Sequence, residues 1–115
     1  MAEPEYLENL LVVRRRALHT ILTELIGSTN VYFQPPSNVL MKYPCFLYNQ
    51  SPLYNLRADD KNYLYMGHYS VTYIDSNVER AMAMKTKILD SFEHISFERN
   101  FTSENLNHDV YNLYY

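Results

Sequence analysis

The sequence predicts an α+β fold: a mainly antiparallel sheet of four to five strands with two helices packed on one face. Three observations predict it. Residues 4–26 and 77–92 repeat apolar side chains at helical spacing. The stretches between and after them alternate apolar and polar residues and are rich in tyrosine and β-branched residues. The resulting order, α-β-β-β-α-β-β, groups strands in runs instead of alternating them with helices, as a parallel α/β sheet would. At 115 residues the chain is expected to form one domain, 1–115, with a modest core and no need of staples.

The first helix begins at Pro4, which suits a first turn, and Glu3, Glu5 and Glu8 complement the positive end of its dipole. Leu7, Leu10, Leu11, Leu18, Ile21, Leu22 and Leu25 form the apolar stripe, and Gly27 supplies a left-handed stop. Arg14, Arg15 and Arg16 interrupt it. Three consecutive residues cover about 200° of helix, so their guanidinium groups cannot share a face. Arg14 falls on the stripe and must snorkel or meet a carboxylate; Arg15 and Arg16 are expected to face solvent or a neighbour.

A short strand, 30–33, is ended by "QPPSN", because neither Pro35 nor Pro36 can donate to a ladder. The next strand, Tyr43–Tyr48, is apolar on both faces and is expected between two layers, or between a core and a partner. A polar loop, 51–62, leads into the strongest strand, Tyr63–Asp75. One face of that strand carries Tyr63, Tyr65, Tyr69, Val71 and Tyr73, the expected core side; Gly67 marks a bulge or a close approach. Ser76 and Glu79 read as a capping box for the helix 77–92, whose apolar side is Val78, Ala81, Met82, Ile88, Leu89 and Phe92. Strands at 94–101 and 107–115 flank the turn "TSENL". Tyr111, Leu113 and Tyr115 should pack onto the helices. Two helices cover one face only, so Leu64, Met66, Ile74, Val110 and Tyr114 on the other call for a neighbouring subunit.

Composition narrows the function. A net charge of −3 gives no basic field with which to grip nucleic acid. No apolar run approaches a membrane span, and the acidic start does not read as a secretory signal. A single cysteine, Cys45, fits a reducing compartment and reads as a buried small hydrophobe. Twelve tyrosines, with no tryptophan, suit half-buried strand faces and protein interfaces. No phosphate loop, nucleotide fingerprint or nucleophile elbow occurs. The one arrangement open to a metal is His94, Glu98, His108 and Asp109 on adjacent strands, which would suit a small hydrolase or nuclease.

Three blocks carry a resemblance: "VYFQPPSNVLMKYPCFLY", then "ADDKNYLYMGHYSVTYID", then "SFERNF" leading to "NLNHDVYNLYY". In this order and spacing they resemble the tail terminator (tail completion, or tail-to-head joining) proteins of long-tailed bacteriophages, over residues 31–115. The stretch "NVERAMAMKTKILDSFEHI" departs from relatives that often carry shorter, proline-rich sequence there. The resemblance implies a lambda-type terminator: a structural virion protein, not an enzyme, with no cofactor. It would form a homo-oligomeric ring, expected to be a hexamer, on the last ring of the major tail tube protein. It would stop tube growth and present a surface to the head–tail connector or stopper. Genomic DNA would pass the lumen without specific binding. Another neck component, a head-completion or stopper protein, is the alternative. Arg14, Arg15, Arg16, Arg57, Asp59, Asp60 and Lys61 are the candidate protein-interface residues, on the first helix and on the 51–62 loop.

Overall fold

Apolar side chains recurring every third or fourth residue on two helices meet the alternating face of a sheet, and the core lies between them. The structure, a computed structural model, describes residues 3–51 and 66–115. Its elements are α1 (Glu3–Ile26), β1 (Val31–Phe33), β2 (Cys45–Gln50), β3 (His68–Asp75), α2 (Val78–Ser91), β4 (Ile95–Ser103) and β5 (Leu106–Tyr114). The five strands lie in the order β1-β2-β3-β5-β4. β1 runs parallel to β2, and the other pairs are antiparallel, so the expected α+β fold is present with a mixed sheet.

Leu18 and Leu22 of α1 and Ala81, Met84 and Ile88 of α2 pack on Phe46, Tyr48, Tyr69, Val71, Tyr73, Tyr111 and Leu113. Cross-strand pairing puts all these strand residues on one face: Phe46 opposes Tyr73, Tyr48 opposes Val71, and Val71 opposes Tyr111. The expected core faces of β3, at Tyr69, Val71 and Tyr73, and of β5 are therefore observed, while Tyr63 and Tyr65 lie outside the described residues. α1 ends where Gly27 adopts φ 74° and its amide reaches Thr23 O at 2.9 Å. Gly67 does mark a close approach: a Cβ there would lie 2.6 Å from the Tyr69 ring.

α2 is rotated from its expected phase. Met84 is in the core, whereas Val78, Met82 and Leu89 are exposed. Its cap is also displaced by one residue. Asn77, not Ser76, accepts from the Arg80 amide, because the Asp75 carboxylate already holds the Asn77 amide at 2.9 Å. The β4–β5 turn places Glu104 and Asn105 at φ 54° and 65°, the left-handed pair that suits a two-residue hairpin.

The double proline serves a crossover. Parallel strands need a connection that leaves the sheet and returns, and residues 34–44 make it. Gln34, at φ 42°, turns the chain off β1 while completing the ladder: its amide donates to Tyr48 O, and its Oε1 accepts from the Gln50 amide. The segment lies over the second face of the sheet. There Tyr32 Oη accepts from the Lys42 amide at 3.0 Å, and Met41 and Tyr43 line a cleft with Leu47, Ile74 and Val110. Ile74, Val110 and Cys45 are accordingly buried within the chain. For Ile74 and Val110 the expected cover is therefore supplied by the chain's own crossover, without a neighbouring subunit. Leu64 lies outside the described residues; Met66 and Tyr114 are half-buried.

Candidate interaction surfaces

The arginine run divides three ways. Arg15 does not face solvent or a neighbour, as expected, but the sheet. Its Nη1 donates to Tyr48 Oη at 3.2 Å, and its guanidinium lies 4.6 Å from the centre of the Phe33 ring. Tyr48 Oη also lies 2.7 Å from His19 Nδ1. Burial, and then the nearby Arg15 charge, lower the His19 pKa. A neutral His19 accepts the Tyr48 proton while Tyr48 accepts from Arg15. Burial raises the Tyr48 pKa despite Arg15, so the hydroxyl keeps its proton. This network clamps α1 to β2. Arg14 is half-buried, and its Nε is buried without a hydrogen-bond partner among the described residues, so of the two expected outcomes the carboxylate is not found at that atom. Arg16 is exposed, which leaves it as the one of the three available to a partner. Arg57, Asp59, Asp60 and Lys61 lie outside the described residues.

The sequence reading missed a second polar centre. Asp75 closes β3 with its side chain fully buried, receiving Tyr73 Oη at 2.7 Å, the Asn77 amide at 2.9 Å, and Arg80 Nε and Nη2 at 2.6 and 2.7 Å. Burial opposes the charge, but the Arg80, Asn77 and Tyr73 hydrogen bonds outweigh it and hold the carboxyl below its ordinary pKa. Burial and the neighbouring Asp75 push the Tyr73 pKa up. The arrangement fixes the start of α2. Its signal was present in the sequence as an acid at a strand end followed five residues later by an arginine.

The metal arrangement does not assemble. His108 and Asp109 are successive strand residues and point to opposite faces. His108 stacks on Phe101 at 4.5 Å, while Asp109 accepts from Asn100 Nδ2 at 2.7 Å. Among the described residues no three His, Cys, Asp or Glu side chains are gathered to hold a metal. Cys45 is buried, and burial, aided by the Asp75 charge, pushes its thiol up to about 12. Among the described residues no helix is long and apolar enough to cross a membrane.

The structure instead presents apolar side chains to solvent in separate places. Leu11, Val12 and Val13 are exposed on α1, Val39, Leu40 and Tyr43 on the crossover, and Val78, Met82 and Phe97 along α2 and β4. The first group adjoins a cleft of about 610 Å³ that Arg15, Phe33 and Tyr69 also line. The last group borders a groove of about 270 Å³ that reaches down to Asp109. No family model, no curated protein and no solved structure matches the chain.

Proposed function

We propose that this chain is a structural subunit of a bacteriophage tail: the terminator that caps the head-proximal end of the tail tube as a six-membered ring and offers the surface for head joining. The observation that carries the reading is where the terminator-like blocks lie. The block 31–48 holds β1, the crossover and most of β2, the described part of the block 58–75 holds β3, 96–101 lies in β4 and 105–115 holds β5, and these strands are neighbours in the sheet order; residues 58–65 lie outside the described residues. The resemblance therefore covers one continuous piece of structure, including the crossover that its Q-P-P turn begins.

The exposed apolar groups support the same reading. A ring subunit has two lateral neighbours and two axial ones, and each buries surface that an isolated subunit leaves wet. The net charge of −3 suits a lumen through which DNA must slide.

The test is to purify the protein, add it to tubes of the major tail protein, and image the ends. A six-fold ring at one end, with tube growth arrested, is the expected result. Protein that binds filled heads lacking tails, and leaves tube ends bare, would make it a stopper instead.

A further inference from the structure

Two of the exposed surfaces are complementary. On α1, Val12, Val13 and Arg16 are exposed side by side, Val12 at the rim of the cleft and Val13 59% exposed, and combine apolar side chains with a cation that makes no ion pair among the described residues. Between α2 and β4, Val78, Met82 and Phe97 wall the groove, and Asp109, only 3% exposed, lies at its floor. The donor to Asp109 is the neutral amide of Asn100, at 2.7 Å. Lys85 also lines the groove, but its Nζ sits over the Phe97 ring, 3.9 Å from its centre, and makes no ion pair with Asp109. A carboxylate removed from water that forms no ion pair among the described residues is costly, and an incoming guanidinium offsets that cost.

The surfaces also lie on opposite flanks of the helical layer. α1 packs against β1 and β2, at one side of the sheet, and α2 packs over β3, β5 and β4, at the other. A contact between two unlike patches on opposite flanks is head-to-tail, and repeats until it closes. We infer that the outer strip of α1 in one copy docks in the α2–β4 groove of the next copy, with Val12 and Val13 on Met82 and Phe97 and Arg16 reaching Asp109. This names the lateral contact of the ring and rests on the ring reading above.

Single added cysteines test it, since Cys45 is buried and unreactive. Val13→Cys chains and Met82→Cys chains are mixed, in concentrated solution and on tail tubes, and treated with a short bis-maleimide. The expected product joins the unlike chains, in excess over either like pair. Arg16→Glu should lower its yield about tenfold with the melting temperature unchanged, and Asp109→Asn, which preserves shape, should also lower it. Like pairs in excess, no unlike product in either setting, or a yield indifferent to Arg16→Glu would each overturn the contact. A six-fold ring on tubes without the unlike product would sink this contact and leave the tail reading standing. The unlike product from chains that never cap a tube would do the reverse.

Discussion

Tyr48 ties α1 to β2, because both Arg15 and His19 reach its hydroxyl. Removing Arg15 takes away a charged hydrogen bond and a cation–ring contact, whereas Arg16 contributes neither. Arg15→Ala should therefore cost about 1–2 kcal/mol in urea unfolding, and Arg16→Ala less than about 0.5 kcal/mol. Equal effects would mean that the clamp contributes nothing. Asp75 supplies a second test at this scale. Asp75→Asn leaves Arg80 and Tyr73 facing an amide, and should cost about 2–3 kcal/mol. The folded protein holds this carboxyl below its ordinary value of about 3.9, so the unfolded chain takes up the proton first as acid is added. The contribution of Asp75 is then fully present above about pH 5 and is lost as the pH falls through 3.9 towards the folded value. Melting temperatures measured from pH 7 to pH 3 should fall more steeply for the natural chain than for Asp75→Asn.

β5 closes the chain in sequence but lies in the middle of the sheet, between β3 and β4. Tyr111 and Leu113 are fully buried on the helix face, so deletion of residues 111–115 should unfold the whole subunit. Loss of the far-ultraviolet dichroism of the truncated chain checks this; a folded truncation that failed only to assemble would place the terminus in an interface. The face of β5 was legible in the sequence because Tyr111 and Leu113 keep strict alternation, as do Tyr69, Val71 and Tyr73 on β3. The strand β4 was legible, but its faces were not, because Glu98 is an extra residue in the ladder: Phe97 pairs with Tyr111 and Arg99 with Val110. Phe97 thus faces the helices under Lys85, while Phe101 turns to the other side to stack on His108. Strict alternation would have put the two rings together. In α2 the series Ala81, Met82, Ala83, Met84 allows two phases of similar hydrophobicity, and packing on the sheet selects Met84. The two-sided apolar character of β2 was read correctly, but its cover is the crossover beginning at Pro35, which no local pattern places over the sheet. Of the candidate surface, Arg16 was legible as an outward residue. The α2–β4 groove was not, since it depends on the helix phase and the bulge together.

The described residues carry more exposed apolar surface than the fold needs, and among them Leu40 is the extreme case at 92% exposure. It is presented by a crossover tied, just after Leu40, to β1 and the residue before it, through the Lys42 amide to Tyr32 Oη and Asn30 Nδ2 to Pro44 O. A leucine held out in this way gains nothing inside its own chain, so Leu40→Asp should shift folding stability by less than about 0.5 kcal/mol. The crossover lies on the opposite side of the sheet from the helices, away from the lateral contact inferred above, and in a tail ring it is suited to the tube or the connector. Burying a leucine against such a partner is worth about 1.5–3 kcal/mol, or roughly ten- to hundredfold in affinity per subunit. A closed ring engages every copy at once, so the loss on a tube end should far exceed the loss in any single contact. Leu40→Asp is therefore expected to melt normally and yet leave tube ends bare or tails overlong in electron micrographs. Normal capping by Leu40→Asp would remove the crossover from the axial interface and leave the α1 and α2–β4 surfaces as the ones that assemble the ring.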